Sequence, residues 1–164
     1  MKKFLFSMIC TLLPILASAQ VQNEELTPYA VLSDDHTVLT FFYDNDKESQ
    51  GGMDVGPFTS ADERGWNEYC ENIEQVVFVE AFAGCEAITS TRYWFQNFTN
   101  LTTIIGLGNL KTNHVTDMAG MFWNCSSLTS LDVGNFNTAN VTDMYCMFNG
   151  CYSLTSLDLS NFNT

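Results

Sequence analysis

The feature that most constrains this chain is an internal repeat near its C-terminal end. Residues 113–138 and 139–164 are two consecutive 26-residue copies, identical at 17 positions. The blocks Val-Thr-Asp-Met, Met-Phe, Leu-Thr-Ser-Leu-Asp and Asn-Phe-Asn-Thr recur in the same order. Because so short a unit cannot enclose a core alone, each copy must bury its apolar residues against its neighbours. The repeat therefore predicts a row of similar units.

Degenerate copies precede these two. The segments around Trp94 and Ile104 match the Met-Phe and Ser-Leu blocks at an offset of 27 residues, and Val76–Val79 lies another 27 residues back. This spacing predicts one short strand in each copy. The predicted strand centres are Val77, Ile104, Leu131 and Leu157.

Each copy can be interpreted as strand, turn and short helix. An L-x-x-L-x-L spacing indicates the strand, a phenylalanine fills the turn, and apolar residues at i, i+3 and i+4 form one helical face. Asp117 and Asp143 are placed to cap the two helices. The predicted core residues are Leu128, Leu131, Val133, Phe136, Leu154, Leu157, Leu159, Phe162, Met121, Phe122, Met147, Phe148, Cys125 and Cys151. The predicted fold class is an α/β solenoid, a leucine-rich-repeat-like horseshoe of short parallel strands and short helices.

The region ahead of the repeats is predicted to cap them. Tyr29–Leu32 and Thr37–Tyr43 have the pattern of a β-hairpin, and residues 61–72 have helical spacing with Ser60 as N-cap and Glu63 completing a capping box. The predicted organisation is a signal peptide at 1–19, a cap region at 20–73 and repeats at 74–164, degenerate over 74–112. The uncovered last repeat suggests part of a longer array.

The first residues indicate export. Lys2 and Lys3 precede an apolar run of Phe4–Leu16, and Ala17-Ser18-Ala19 supplies small residues for cleavage after Ala19. The apolar run is shorter than the ~20 residues of a membrane span. A lipoprotein signal at Cys10 is the alternative, although Ile9 is larger than the small residue expected there. The predicted location is the cell surface or the extracellular space.

Charge and residue types limit the function. Residues 20–164 carry 19 acidic groups and four basic ones, which disfavours nucleic acid and anionic membranes as partners. The odd count of five cysteines after residue 20 argues against a full disulfide framework, although Cys70 with Cys85 is a conceivable pair. A catalytic pair of His114 with Cys85 or Cys125 is disfavoured, since Cys125 occupies a core position. No enzyme activity and no cofactor are expected.

Weak calcium binding is an alternative at two places. Residues 44–48 begin like a calcium loop but lack its later glycine and glutamate. Asp132 and Asp158 occupy equivalent outward positions, where two carboxylates about 5 Å apart would raise each other's pKa or attract a cation. The interpretation preferred for residues 44–48 is a solvated acidic loop.

The repeat resembles that of BspA-like leucine-rich-repeat surface proteins. The resemblance rests on the second copy, residues 140–164, and on the segments 27–32 and 40–44 ahead of the repeats. It implies an exported adhesin-type protein that binds host matrix proteins, plasma proteins or other cells. The ligand-binding residues expected on the outward face are Ser130, Asp132, Ser156, Asp158 and Ser160. A carbohydrate-binding surface module, using aromatic residues such as Trp123, Tyr145 and Tyr152, is the alternative.

Overall fold

The computed structural model describes residues 25–163, so the predicted signal peptide and its cleavage after Ala19 lie outside the described residues. Strands β1 (Thr27–Leu32) and β2 (Val38–Asp44) pair antiparallel and form the predicted hairpin. Strands β3 (Gln75–Phe78) and β4 (Thr103–Ile105) follow in parallel to β2, which gives the sheet order β1-β2-β3-β4. The result is a mixed sheet of four strands.

The helices of residues 25–163 are all short 3-10 turns. They span Ala61–Glu63, Asn67–Tyr69, Glu80–Gly84 and Leu107–Asn109. The predicted helix at 61–72 is thus two separate turns, although the Glu63 carboxylate does reach back to the Ser60 N–H at 3.4 Å. Within this part of the chain, no helix has the length and apolarity needed to cross a membrane.

The predicted horseshoe solenoid is wrong. The sheet is small, mixed and neither curled nor closed, and the structured region contains no long helix. Strands do form near the predicted centres Val77 and Ile104, but the segments around Leu131 and Leu157 contain no regular strand. The helices predicted behind Asp117 and Asp143 are turns. Each of these carboxylates instead accepts the backbone N–H two residues later, at 2.9 Å in both copies.

Left-handed backbone angles explain why the predicted helices are absent. In the first clear copy Gly120 and Asn124 have φ values of 63° and 60°, and in the second Cys146 and Gly150 have φ values of 54° and 79°. A positive φ fits neither a right-handed helix nor a strand. Because two such residues, four positions apart, occur in both clear copies, the chain folds there into successive tight turns.

Successive copies are joined through these turns by backbone hydrogen bonds that all run in one direction. The N–H groups of Thr91, Tyr93, Phe95 and Asn97 donate to the carbonyls of residues 117, 119, 121 and 123 over 2.8–3.0 Å. The N–H groups of Met118, Gly120, Phe122 and Asn124 donate in turn to residues 143, 145, 147 and 149 over 2.7–2.9 Å. The joined peptide units therefore form four columns whose dipoles point the same way.

Arg64 and Trp66 close the carbonyl end of two of these columns. The Arg64 guanidinium is 2% exposed and donates to the carbonyls of Tyr93 at 2.7 Å and Gln96 at 3.1 Å. The Trp66 indole N–H donates to the Trp94 carbonyl at 3.0 Å. Burial lowers the pKa of Arg64 to about 10, so the side chain remains a cation at neutral pH. A positive charge thus lies at the negative end of the aligned peptide dipoles.

Asparagine side chains provide a second connection between copies. Asn161 donates to the carbonyls of Val133 and Phe136 at 3.1 and 2.8 Å, and Asn135 donates to the carbonyl of Leu110 at 3.0 Å. Asn109 makes the same kind of bond to Phe78 at 3.2 Å. Each of these asparagines therefore donates hydrogen bonds to backbone carbonyls of the preceding copy. In a regular sheet, the N–H groups of a neighbouring strand would satisfy those carbonyls.

The core is an aromatic cluster under the sheet that continues into the repeats. Phe41 lies at its centre, with ring centroids 4.6 Å from Phe78 and 4.9 Å from Trp94. Of the predicted repeat core, the buried residues are Met121, Phe122, Cys125, Leu128, Val133, Phe136 and Met147. Half-buried members are Leu131, Phe148, Cys151, Leu154, Leu157 and Phe162. Leu159, which the pattern directs inward, is 39% exposed.

Candidate functional site

A polar groove of about 510 Å³ lies between the segments 102–108 and 130–135. Its polar lining consists of Thr102, Thr103, Ser130, Asp132 and Asn135, and its apolar lining includes Ile104, Leu107 and Leu131. This lining combines hydroxyl and amide groups with one carboxylate. The groove can therefore accept hydrogen bonds from a ligand and can attract positive charge.

Gly106 sets the shape of one wall of the groove. Its φ is 70°, and a Cβ at this position would lie 2.3 Å from the Phe78 carbonyl oxygen. Only glycine lets the two backbones come this close. The wall therefore depends on contact between β3 and the turn after β4.

The five residues predicted to bind a ligand are divided between two places. Ser130 and Asp132 line the polar groove. Ser156, Asp158 and Ser160 occupy equivalent positions in the next copy, where they are exposed on the surface outside the groove lining. The structure thus places two of the five in a concave site and leaves three on an open face.

Hydrogen bonding holds both outward aspartates in tight turns. Asp132 accepts the Gly134 N–H and Asp158 accepts the Ser160 N–H, each at 2.9 Å. The bonds from the backbone and side chain of Ser160 lower the pKa of Asp158. The expected rise in the pKa of this aspartate through mutual repulsion is therefore wrong. Asp158 is ionised at neutral pH and adds to the negative surface.

Arg92 joins three consecutive copies through two ion pairs outside the groove. Its Nη1 lies 2.7 Å from Asp117 Oδ2 and 3.1 Å from Asp143 Oδ2. The hydrogen bonds to Asp117 and then Tyr93 raise the pKa of Arg92. For Asp143, the Tyr145 N–H is the main cause of a lowered pKa, and Arg92 lowers it further. The two predicted helix caps thus serve as anchors for one arginine.

The lowered pKa of Asp143 leads to a pH-dependent prediction. A carboxylate whose folded pKa lies below its ordinary value of 3.8 stabilises the fold above that value, and the contribution disappears as the pH falls through the folded pKa. Asp143→Asn is therefore expected to lower the melting temperature at pH 6, with a difference from wild type that shrinks as the pH falls below 3.8 and closes once the pH has passed the folded pKa of Asp143. Thermal melts followed by circular dichroism from pH 7 to 2 measure this difference. Asp34→Asn, in the exposed hairpin turn, is the control, and a gap that stays constant with pH would contradict the assignment.

The cysteine and histidine candidates lie apart. The five cysteines of the described region are free thiols, so Cys70 and Cys85 are not paired. Burial raises the pKa of the Cys125 thiol, which donates to the Phe95 carbonyl at 3.2 Å. His114 Nε2 lies 3.5 Å from Glu86 Oε2 on the surface, whereas Cys85 and Cys125 are buried.

The acidic loop at 44–48 is engaged in contacts within the protein. Asp44 Oδ1 accepts the Tyr29 hydroxyl at 2.7 Å and the Asp46 N–H at 2.9 Å, and Lys47 pairs with Asp54. Over residues 25–163, no three His, Cys, Asp or Glu side chains are grouped to hold a metal ion. Weak calcium binding at this loop stays an untested alternative.

The sequence patterns missed Arg64, Trp66 and Arg92. Their role depends on contacts with residues about 25 to 50 positions away, which no local spacing reveals. One indication was available: residues 20–164 contain only four basic groups among 19 acidic ones. Two arginines in so acidic a chain are candidates for internal contacts.

The structure is that of a repeat-built protein with a polar concave site. It combines a mixed sheet, repeat copies joined by hydrogen bonds, and a surface groove. The family model that matches residues 80–164 is described as "Mycoplasma protein of unknown function, DUF285". The match covers just over half of the chain, and the protein belongs to this family. None of the curated proteins and none of the solved structures compared with the chain matches it.

Proposed function

We propose that this protein is an exported, BspA-like surface protein that binds extracellular proteins, including matrix or plasma proteins, through the polar groove and the exposed face beside it. The observation that carries the proposal is the groove itself, with Asp132 among hydroxyl groups in a chain of net charge −13. The resemblance of the repeat to adhesin-type proteins agrees with this function.

The two arginines are engaged in contacts within the protein, so they offset little of the negative charge on the surface. Arg64 is buried and Arg92 is held between two carboxylates. These cations are therefore turned toward the protein, while Asp132 and Asp158 face solvent. Electrostatic complementarity favours partners with basic segments and increases their rate of association.

A surface plasmon resonance experiment tests the proposal. The full chain is immobilised, and fibronectin and fibrinogen are the analytes, with and without calcium. We expect saturable binding that Asp132→Asn with Asp158→Asn weakens about tenfold at low salt, because two charges at the contact are removed. Asp34→Asn with Glu48→Gln, which changes the net charge equally at exposed residues outside the groove lining, is expected to bind as wild type.

Two results would contradict the proposal. The first is a folded protein that binds neither analyte. The second is equal loss of binding in both double variants, since net charge alone would then explain the interaction. Cell fractionation and the mass of the mature N-terminus test export and cleavage after Ala19 separately.

A carbohydrate-binding module is the second candidate. Tyr145 and Tyr152 are 71% and 86% exposed, and exposed aromatic rings are suited to stacking on sugars. Trp123 is half-buried and offers less surface. Binding to a neutral glycan panel that is lost in Tyr145→Ala with Tyr152→Ala, and unaffected by the aspartate variants, would favour this function over the first.

A further inference from the structure

The polar groove lies where the four-stranded sheet stops. Strand β4 is the last in the order β1-β2-β3-β4 and pairs with β3 on one side only. Residues 102–104 line one wall of the groove, and residues 130–132 of the next copy line the other wall. A strand edge without a neighbour presents backbone N–H and C=O groups that can pair with another chain. One wall of the groove is therefore a free strand edge.

The facing segment also leaves its backbone groups without partners. In the described part of the chain, the N–H groups of residues 129–133 donate to no other backbone group. The carbonyls of Ser130, Leu131 and Asp132 likewise accept no backbone hydrogen bond from any residue in the range 25–163. Both walls of the groove thus offer backbone donors and acceptors.

Side chains join the two walls only at the ends of the groove. At one end the Ser126 hydroxyl donates to the Thr99 carbonyl at 3.2 Å, and at the other the Asn135 amide donates to the Leu110 carbonyl at 3.0 Å. Between these two ties, no hydrogen bond among the described residues connects β4 with residues 129–133. The open stretch has the length of β4, which is about 10 Å at the usual rise of a strand.

Charge determines which chain fits this open stretch. Asp132 Oδ1 accepts the Gly134 N–H at 2.9 Å, and no described group donates to Oδ2, which is left for a ligand. The described lining contains no lysine or arginine, and the chain has a net charge of −13. A second copy of this chain would bring the same excess of acidic groups. Electrostatic complementarity therefore favours a basic segment of a different protein.

We propose that the groove binds an extended, lysine- or arginine-containing segment of a partner protein, which joins β4 as an added strand. The backbone of this segment pairs with β4 and with residues 130–132, and its basic side chain reaches Asp132. Backbone pairing supplies affinity in such strand addition, and the side-chain contact supplies specificity. This assignment rests on the proposed function, because it names the part of the extracellular partner that the groove binds.

A peptide titration tests the proposal. The probe is the acetylated and amidated peptide Thr-Val-Lys-Val-Thr, added to the full chain labelled with nitrogen-15. We expect saturable binding with a Kd below about 1 mM. The amide signals of Thr103, Ile104, Ser130, Leu131 and Asp132 should shift. The amides of β1, the opposite edge strand, should not change.

Two altered peptides separate backbone pairing from charge. N-methylation of the three central residues removes their N–H donors and keeps the lysine, so it should abolish binding. Replacement of the lysine by glutamate keeps the backbone and brings a carboxylate toward Asp132, so it should weaken binding at least about tenfold at low salt.

Two glycines supply matched protein variants. Gly108 lines the groove and a Cβ there meets no atom within 4 Å, so Gly108→Tyr places a ring in the groove without a clash at its Cβ. This variant is expected to abolish peptide binding. Gly84 is exposed outside the groove lining, and a Cβ there makes only ordinary contacts with Tyr43 at 3.8–3.9 Å. Gly84→Tyr is therefore expected to bind the peptide as wild type does.

Several outcomes would overturn the proposal. They are no binding at about 1 mM peptide, equal binding of the N-methylated peptide, and binding that Gly108→Tyr leaves intact. A neutral glycan that binds the wild type but not Gly108→Tyr, with no binding of the peptide, would assign the groove to sugars instead.

The binding of fibronectin and fibrinogen is measured separately, so the two proposals can fail independently. If these analytes bind through Asp132 and Asp158 but Gly108→Tyr and excess peptide have no effect, the proposed function stands and strand addition is wrong. If the peptide binds as expected and neither analyte binds, strand addition stands and the proposed partners are wrong.

Discussion

Arg64→Ala is expected to lower the free energy of unfolding by about 3–5 kcal/mol, because it leaves the Gln96 carbonyl without its donor, removes one of the two donors to the Tyr93 carbonyl and opens a cavity. The guanidinium also donates to the Ala61 carbonyl at 2.8 Å and to Asn67 Oδ1 at 2.6 Å within the cap region, so its loss weakens the contact of this region with the turn at residues 93–96. No carboxylate pairs with Arg64 among residues 25–163. Its hydrogen bonds go to carbonyl oxygens of the backbone and of the Asn67 side chain, and Asp62 adds an electrostatic attraction.

Urea unfolding followed by tryptophan fluorescence measures the effect, since Trp66 and Trp94 are both buried in this region. Arg92→Ala is the matched control, because its side chain is 25% exposed and its ion pairs are screened by solvent. We expect a loss of about 1 kcal/mol or less for that variant. Equal losses from the two variants would show that Arg64 acts as an ordinary surface charge.

Phe41→Ala is expected to cost about 3–5 kcal/mol, the usual range for removing a fully buried ring. Phe41 contacts five other rings, and the centroids of the more distant three, Trp66, Phe82 and Phe95, lie 5.9–6.0 Å away. These rings come from the cap region and from the first repeat. Loss of Phe41 therefore loosens the junction of both parts.

The neighbouring residue provides the control. Phe42 points to the opposite face of β2, is half-buried and stacks on Tyr29 at 5.4 Å. Phe42→Ala is expected to cost about 1–2 kcal/mol. Urea midpoints of the two variants measure the difference, and similar midpoints would contradict the central position of Phe41.

The sequence predicted the hairpin and the first two strands of the repeats. The hairpin follows from two apolar runs that flank a polar turn, and the strands near Val77 and Ile104 follow from the 27-residue spacing between copies. Leu131 and Leu157 have the same pattern but form no strand, because their copies are joined through asparagine side chains and turns. Periodicity cannot distinguish these two ways of connecting repeats.

Backbone angles account for the remaining error in the fold. Gly120 is compatible with a left-handed turn, yet the equivalent residue in the next copy is Cys146, which gives no such indication. The sequence also identified Ser130 and Asp132 as outward residues. It could not show that the turn after β4 comes close enough to form a groove with them, since that requires the contact of Gly106 with Phe78.

The one-way direction of the peptide columns has a consequence for how such a gene can change in length. An in-frame duplication of 26 codons after residue 112 adds a unit that brings both a row of carbonyls and a row of N–H groups. Each added unit therefore accepts hydrogen bonds from the unit before it and donates its own N–H groups to the unit after it. The cap formed by Arg64 and Trp66 is needed only once, ahead of the first copy, so an added unit needs no cap of its own.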